Sequence, residues 1–229
     1  MKAMILAAGY GKRLRPLTDK TPKPMISVAG KPLLQHHIER LVAIGITEIV
    51  INISWLAEQI ENFFGDGSNF GVHITWSKEP VPLETGGGIL KALPLLGDAP
   101  FILINGDIWT DFPLPTVTDI SLEDDQSAWL LLVNNPQHNP AGDFGLQKGL
   151  ISYQPEVNYT FSGISLFKPA LFSDYAKNIT DASCFPLRDV LRPAIESKHI
   201  IGSVYAGHWC DVGTIERYNQ LNKHLDLLK

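Results

Sequence analysis

The chain of 229 residues is 45% hydrophobic and 19% charged, which is typical of a globular protein with a core large enough to need no disulfide bonds. Its 24 acidic residues outnumber its 19 Lys and Arg residues, and the formal net charge of −5 argues against a nucleic-acid-binding protein. It has two cysteines without metal-binding spacing and no apolar run near the ~18 residues of a membrane span, so we expect a reduced, cytoplasmic protein with no membrane partner.

Short apolar runs alternate with segments of helical periodicity through the first half of the chain. Predicted strands cover residues 3–8, 48–53, 72–76 and 101–105. Predicted helices cover residues 32–45, 55–65 and about 87–96. Continuous apolar strands joined by helices are typical of a parallel sheet covered on both faces.

After residue 110 the alternation becomes less regular. Predicted strands cover 128–133, 160–167 and 201–205, predicted helices cover 186–197 and 214–228, and predicted loops cover 113–119 and 134–143. Pro193 is expected to end or kink the helix in which it lies. With no internal repeat and no long linker, the sequence predicts a single α/β domain with a mixed, mostly parallel sheet and helices on both faces.

A strongly cationic segment follows the first predicted strand. Five of the twelve residues from 12 to 23 are Lys or Arg, and Asp19 is the only acid among them. Gly9 and Gly11 precede these cations and would let backbone N–H groups approach a ligand closely. In an acidic protein this combination predicts a site for a small anion such as a phosphate group. The alternative is a tight turn with a solvated basic surface.

Two common glycine-rich phosphate motifs do not match this segment. A P-loop requires Ser or Thr after the Gly-Lys pair, but Arg13 follows Lys12 here. The dinucleotide-binding pattern requires a third glycine where this chain has Leu14. An oxidoreductase with a dinucleotide cofactor is therefore not expected.

The longer run LAAGYGKRLRPLTDKTPKP, residues 6–24, resembles the signature of sugar-phosphate nucleotidyltransferases. These enzymes join a nucleoside triphosphate to a sugar 1-phosphate and release pyrophosphate. The residues that match are Leu6, Ala7, Ala8, Gly9, Gly11, Arg13, Pro16, Leu17, Thr18, Pro22, Lys23 and Pro24. The resemblance implies a Rossmann-like nucleotidyltransferase domain, with a nucleotide-binding half at about 1–110 and a sugar-binding half at about 111–229. It also implies that UTP and a sugar 1-phosphate are the substrates.

The chemistry of this transfer explains the cations. The sugar phosphate oxygen attacks the α-phosphorus of the nucleotide, and a phosphomonoester with a second pKa of about 6 needs no general base. The barrier arises from bringing two anions together and from charge on the leaving pyrophosphate. Arg13 suits the triphosphate because its planar guanidinium can bind two oxygens, whereas Lys23 suits the reacting phosphate as a compact charge. We expect these two residues to be catalytic.

Two aspartates are candidate ligands for Mg²⁺, which proteins usually hold with one or two carboxylates together with substrate phosphates. Asp107 follows the predicted strand FILIN, where open α/β sheets bind ligands, and Asp211 lies in the segment GHWCDVGT. The resemblance implies that both bind the metal. The alternatives are an ordinary turn residue for Asp107 and a helix-start residue for Asp211.

The segment PLETGGG, residues 82–88, is the third feature shared with the family. Its glycines weaken a helix start, which close approach of a nucleobase or ribose would justify, although a flexible loop is the alternative. The resemblance places the base between this segment and the end of the first strand. The expected nucleotide-binding residues are Leu6, Ala8, Gly9, Gly11, Lys12, Arg13, Lys23, Glu84 and Gly87.

Sugar-binding residues are implied by the resemblance alone. The expected set, from the segments around 101–107, 141–146 and 160–167, is Asn105, Asp143, Gly145 and Gly163. Many relatives carry a Glu-Lys-Pro element whose lysine contacts the sugar phosphate, whereas this chain has Tyr153-Gln154-Pro155. That departure places a larger share of the charge neutralisation on Lys23 and the metal.

Several alternatives remain open at this point. The substrates could be GTP with mannose 1-phosphate, or dTTP or UTP with glucose 1-phosphate, and the protein could be a monomer or a small homo-oligomer. A different class is a non-catalytic sensor of a sugar nucleotide. Such a sensor would typically lack one of the phosphate cations or metal carboxylates, but Arg13, Lys23, Asp107 and Asp211 are all present.

Overall fold

The computed structural model describes residues 1–153, 157–177 and 184–227. The strands in this part of the chain are β1 (Lys2–Leu6), β2 (Ser27–Val28), β3 (Lys31–Pro32), β4 (Glu48–Ile53), β5 (His73–Lys78), β6 (Phe101–Asn105), β7 (Ile108–Thr110), β8 (Ala128–Val133), β9 (Phe144–Gln147), β10 (Leu150–Ser152), β11 (Asn158–Phe167), β12 (Ile200–Tyr205) and β13 (Trp209–Asp211). The α-helices are α1 (Leu33–Ala43), α2 (Ala57–Phe64), α3 (Glu84–Leu96), α4 (Pro115–Thr118), α5 (Ala170–Ala176), α6 (Leu187–Glu196) and α7 (Ile215–Asp226).

Nine strands form one sheet in the order β5-β4-β1-β6-β11-β8-β12-β10-β9. The first four strands are parallel to one another, as expected for strands connected through helices. Beyond β6 the sheet is mixed, because β11 runs antiparallel to both β6 and β8 while β12 is parallel to β8. The predicted α/β class with a mixed sheet is confirmed. Among the described strands, however, four of the nine pairings in this sheet are parallel and five are antiparallel, so it is mostly parallel only from β5 to β6.

Both faces of the sheet are covered, which explains the continuous apolar strands. Along β1, Ala3 and Ile5 point to the face that packs against α1 and α2, whereas Met4 points to the face that packs against α3, α5 and α6. This alternation follows from the two-residue period of a strand. Residues on both faces of β8 are likewise buried.

Two segments differ from their predicted structures. The α6 helix continues past Pro193 to Glu196, so of the two expected effects of this proline, ending the helix does not occur. Its buried face includes Ala194 and Ile195, and packing on the sheet outweighs the hydrogen bond that proline removes. Residues 115–118, predicted as loop, form the single turn α4, which buries Val117.

Two small sheets accompany the large one, and that of β7 and β13 brings a distant segment to the chain that follows β6. Strands β7 and β13 pair antiparallel, with Asp211 opposite Ile108, and β2 pairs with β3. Helix α7 follows β13 and packs through Leu221 against a small apolar cluster that includes Val28 and Val212. In the described residues no helix is both long enough and apolar enough to cross a membrane.

Candidate active site

A cavity of about 350 Å³ lies at the carboxyl ends of β1 and β6. This is the edge at which parallel α/β sheets bind their ligands. Ten of the residues predicted for the site line it: Leu6, Ala8, Gly9, Gly11, Lys12, Arg13, Lys23, Glu84, Asn105 and Asp107. The structure therefore brings the glycine-rich loop, the cations and one predicted metal ligand to a single cavity.

The cationic loop is folded into short 3-10 turns between residues 12 and 25. Gly11 has a φ of +63°, and a Cβ atom there would lie 2.8 Å from the Cγ2 atom of Thr18. The Thr18 hydroxyl donates a hydrogen bond to the Gly11 carbonyl over 2.8 Å, and the Leu14 N–H donates to the same oxygen over 2.8 Å. Glycine is required at position 11 because the loop closes on itself there.

Contacts from the start of α2 hold the outer part of this loop. The Trp55 indole N–H donates to the Thr18 carbonyl over 3.2 Å, and the Gln59 amide donates to the Lys20 carbonyl over 3.0 Å. The Tyr10 ring packs on Trp55 with centroids 5.9 Å apart. These tertiary contacts were not predicted, because no local pattern connects a tryptophan on one loop to a carbonyl on another.

Lys23 and Asp107 form an ion pair at the cavity wall. The Lys23 Nζ atom lies 2.6 Å from the Asp107 Oδ2 atom, and the lysine side chain is only 12% exposed. Burial alone would raise the pKa of Asp107, but the Lys23 charge more than offsets this effect and the pKa is lowered. Asp107 is therefore an ionised carboxylate facing the cavity. Within the part of the chain that the structure describes, Arg13 has no carboxylate partner, so its charge is available to a ligand.

The second predicted metal ligand, Asp211, lies next to Asp107 in the backbone but faces another way. The Val212 N–H donates to the Asp107 carbonyl over 2.7 Å. The Asp211 Oδ2 atom accepts a hydrogen bond from Arg217 over 2.8 Å, and the His138 Nε2 atom lies 3.0 Å from its Oδ1 atom. Burial, together with the Asp107 charge, raises the pKa of Asp211 against the opposing effects of Arg217 and His138.

Asp211 lines a neighbouring cavity of about 470 Å³ together with His138, His208 and Arg217. Gly213 separates the two cavities: it lines the first, and a Cβ atom on it would lie 2.9 Å from the Asp211 Oδ2 atom. The two aspartates are thus on adjacent segments, but only Asp107 faces the cavity with the cations.

The three glycines of residues 86–88 have packing roles within α3. The N–H groups of Gly86 and Gly87 donate to the Phe185 carbonyl over 2.9 and 3.1 Å. A Cβ atom on Gly88 would lie 2.8 Å from the Glu79 Oε1 atom. Gly87, expected to contact the nucleotide, is buried in the helix and is not among the described residues that line the cavity.

Glu84 lines the cavity in a left-handed conformation, with a φ of +58°. A non-glycine residue in this region costs on the order of 1–3 kcal/mol, and such strain concentrates at functional sites. Pro82 and Thr85 line the same wall. The segment before and at the start of α3, rather than its glycines, therefore forms this side of the cavity.

Two buried polar residues of this wall, Asn52 and Glu79, were missed by the sequence analysis. The Asn52 Oδ1 atom accepts from the Ala7 N–H over 2.8 Å, and its Nδ2 atom donates to the Glu79 Oε1 atom over 2.7 Å. The Glu79 Oε2 atom accepts from the Leu83 N–H over 2.9 Å. The available signal was a polar residue inside the apolar strand EIVINI.

The predicted sugar-binding residues are divided between the cavity and its support. Asn105 lines the cavity, and its Oδ1 atom is buried without a hydrogen-bond partner in the described structure. Gly163 lies at an irregularity of β11 with a φ of +83°, and a Cβ atom there would lie 2.7 Å from the Asn105 Nδ2 atom. Close approach to Asn105 therefore explains this glycine.

Asp143 and Gly145 lie outside the cavity lining. The Asp143 carboxylate accepts from the Phe161 N–H over 2.8 Å and from the Asn139 amide over 3.1 Å, so it ties the preceding loop to β11. Gly145 pairs with the neighbouring strands from its position in β9. In the segment 153–155, where many relatives have Glu-Lys-Pro, Tyr153 packs against Phe144. Gln154 and Pro155 lie outside the described residues.

The chain belongs to the nucleotidyl transferase family, whose model matches residues 2–226. A protein of Neisseria meningitidis serogroup B named N-acetylmuramate alpha-1-phosphate uridylyltransferase is 50% identical over 227 residues, which cover 96% of each chain. Mannose-1-phosphate guanyltransferases of Gibberella zeae and Xenopus laevis are 29% and 30% identical over 93% of this chain, which spans 61% of their own length. The family and the class of enzyme predicted from the sequence are confirmed.

Solved structures show the same fold. A candidate glucose-1-phosphate thymidylyltransferase of Bacillus anthracis, crystallised with sucrose, matches 98% of this chain and 94% of its own with a TM-score of 0.88 at 23% identity. The HddC protein of Yersinia pseudotuberculosis, complexed with GMP-PN, matches 98% of this chain and 99% of its own with a TM-score of 0.78 at 22% identity. The architecture is therefore shared at low sequence identity.

Proposed function

We propose that this chain transfers a uridylyl group from UTP to N-acetylmuramate α-1-phosphate, giving UDP-N-acetylmuramate and pyrophosphate. The observation that carries the reaction class is the convergence of Arg13, Lys23 and Asp107 on one cavity. The choice of substrates is supported by the 50% identity to the Neisseria uridylyltransferase over nearly the whole of both chains. We further propose that the reaction serves the recycling of peptidoglycan sugars in the cytoplasm.

In this reaction an oxygen of the sugar phosphate forms a bond to the α-phosphorus of UTP while the bond to the leaving pyrophosphate breaks. No proton has to be removed from the nucleophile at neutral pH, because a phosphomonoester is largely dianionic above its second pKa of about 6. The chain supplies charge and position. Arg13 and Lys12 bind triphosphate oxygens, and Lys23 lies close to the reacting phosphate, where charge accumulates.

Asp107 and Asp211 are the residues that would hold a Mg²⁺ ion, for which the Asp211 side chain would have to turn from Arg217 and His138 towards Asp107. Both offer the hard oxygen donors that this ion prefers, and Asp107 faces the cavity where phosphates would complete its coordination. Among the described residues no group of three His, Cys, Asp or Glu side chains is placed to hold a metal without substrate. When bound, the ion would supply positive charge to the phosphates.

The two substrates would occupy different parts of the chain. We assign the nucleotide to the half at about 1–110, with the base between Leu6–Gly9 and the segment 82–88. We assign the sugar to the half at about 111–229 and to Asn105, which Gly163 supports; Asp143 and Gly145 would act by holding the surrounding loops. The enzyme would work as a monomer or small homo-oligomer without nucleic acid or membrane.

The decisive experiment measures pyrophosphate release with magnesium present. UTP is tested against N-acetylmuramate 1-phosphate, N-acetylglucosamine 1-phosphate and glucose 1-phosphate, with GTP plus mannose 1-phosphate and dTTP plus glucose 1-phosphate as comparisons. The proposal predicts the highest kcat/KM for UTP with N-acetylmuramate 1-phosphate. A higher value for GTP with mannose 1-phosphate would instead favour the activity of the guanyltransferase relatives. Tight binding of a UDP-sugar without any pyrophosphate release would identify a sensor.

A further inference from the structure

The nucleotide side of the cavity contains a buried carboxylate that the transfer reaction does not use. Glu79 is 4% exposed, and its neighbour Asn52 is 3% exposed. Burying the polar oxygens of a carboxyl group is costly unless they accept hydrogen bonds. Here both oxygens of Glu79 do so, one from Asn52 and the other from the Leu83 N–H.

These hydrogen bonds connect the two segments between which the base would lie. On one side Asn52 accepts from the Ala7 N–H, at the end of β1, and on the other Glu79 accepts from the Leu83 N–H, just before α3. The Glu79 backbone is itself held, because its N–H donates to the Ile53 carbonyl over 2.8 Å. A continuous chain of bonds therefore runs from β1 through two side chains to the start of α3.

Helix α3 approaches this chain of bonds without an intervening side chain. A Cβ atom on Gly88 would lie 2.8 Å from the Glu79 Oε1 atom and 2.9 Å from the Asn52 Nδ2 atom. Any larger residue there would press directly on the pair. The position of the helix start relative to β1 thus depends on the two side chains.

We propose that Asn52 and Glu79 are a positioning pair that sets the spacing of the two walls around the nucleotide base. The inference rests on the proposed function only in assigning a nucleotide to this cavity. It predicts that disturbing the pair weakens nucleotide binding, while the affinity for the sugar 1-phosphate changes little. Both side chains line the cavity, and the pair sets the spacing by holding the Ala7 and Leu83 backbone.

An exchanged pair tests this directly. In the Glu79→Gln variant the new NH₂ group is a donor that faces another donor, either the Asn52 amide or the Leu83 N–H. In the Asn52→Asp variant two carboxylates face each other. The double variant Asn52→Asp/Glu79→Gln restores all the bonds: Asp accepts from Ala7 and from the glutamine amide, whose carbonyl accepts from Leu83. Asn222→Asp is a matched control, because Asn222 also accepts a backbone N–H, that of Ala29, but lies outside the cavity lining.

The measurement is the nucleotide Kd by calorimetry, with the KM of both substrates and the melting temperature of each variant. We expect each single variant to weaken nucleotide binding by ~10-fold or more, and the double variant to return to within ~3-fold of the original protein. The control should bind normally. A double variant no better than the singles, or singles that lower the melting temperature but leave the nucleotide Kd unchanged, would overturn the proposal.

A further variant covers the case in which the exchanged pair does not fold. Gly88→Ala adds a methyl group against the pair and should weaken nucleotide binding in the same selective way; a folded Gly88→Ala protein with an unchanged Kd would contradict the inference. The calorimetry uses UTP, GTP and dTTP separately. If UTP does not bind but another nucleotide does, the choice of substrate fails while the pair is still tested with that nucleotide.

Discussion

The two sides of the cavity are built by different means. The wall that we assign to the nucleotide consists of backbone segments held by neutral hydrogen bonds, from Thr18 to Gly11, from Trp55 to Thr18 and from Ala7 to Asn52. The opposite side is bounded by the ion pair of Lys23 with Asp107, and the adjacent segment carries a second ion pair, Asp211 with Arg217, which faces the neighbouring cavity. Backbone walls preserve a shape, whereas ion pairs can exchange partners when charged substrates arrive. We therefore expect the first side to determine affinity and the second to determine turnover.

The largest effect should follow removal of a carboxylate on the ion-pair side. Asp107→Asn and Asp211→Asn should each lower kcat by ~100-fold or more because a metal ligand is lost, while the protein still folds cooperatively. Pyrophosphate release and thermal unfolding provide the measurements. Asp66→Asn, on an exposed turn, is the control. If both variants stay near full activity with magnesium present, the metal assignment is wrong.

The two cations should differ in which kinetic parameter they change. Lys23→Met should reduce kcat by ~100-fold because this charge meets negative charge that grows during the reaction. Arg13→Met should mainly raise the KM for the nucleotide, by ~10-fold. Steady-state kinetics with each substrate varied separates the two. An effect of Lys23→Met confined to KM would demote Lys23 to a docking residue.

A smaller effect should follow loss of the bond that holds the cationic loop to the segment before α2. Trp55→Phe keeps an aromatic ring beside Tyr10 but removes the N–H donor to Thr18, so the nucleotide KM should rise by ~3- to 10-fold. Trp76→Phe is a matched control, because Trp76 also donates to a backbone carbonyl, that of Gly65, over 3.0 Å but lies outside the cavity lining. Equal changes in the two variants would show that Trp55 has no special role.

The smallest effect concerns stability rather than activity. Burial, reinforced by the charge of Arg40, lowers the pKa of His37 from its ordinary 6.5 to about 3. Between pH 6.5 and about pH 3, His37 is therefore protonated in the unfolded chain but neutral in the folded chain. The free energy of unfolding consequently falls as the pH falls through this interval.

The variant His37→Leu should lack this contribution, which amounts to about 1.4 kcal/mol per pH unit well below pH 6.5. Denaturant unfolding of both proteins at several pH values between 7.5 and 5 provides the measurement. The exposed His73→Gln variant is the control. Parallel stability curves for the original protein and His37→Leu would contradict the assignment of a neutral buried histidine.

The cavity was predictable where its chemistry is contiguous in sequence. Residues 6–24 form one motif, and Asp107 follows a strand, so the rule for ligands at strand ends places both at the same edge. The strands Glu48–Ile53, Phe101–Asn105 and Ala128–Val133 have the predicted bounds because each is one apolar run between polar segments. The Asn52–Glu79 pair joins residues 27 positions apart, and Trp55 reaches a carbonyl 37 positions away, which no local pattern reveals.

For Asp211 and for the glycines of 86–88, the sequence motifs singled out the residues but did not show which groups they contact. Asp211 was expected beside Asp107, and the pairing of β13 with β7 does bring their segments together. Its side chain nevertheless pairs with Arg217 and His138. These partners come from α7 and from the loop at 134–143, which lie outside the motif. The three glycines of 86–88 similarly indicated close approach, but the approaching groups are Phe185, Asn52 and Glu79.

The most direct single measurement is a crystal structure of the protein with UDP-N-acetylmuramate bound. We predict that the diphosphate lies within contact of Arg13 and Lys23 in the cavity that Asp107 lines, with the uracil between the end of β1 and the segment before α3. A diphosphate bound instead in the neighbouring cavity beside His138, or outside both, would contradict the account of where the two phosphorylated substrates meet.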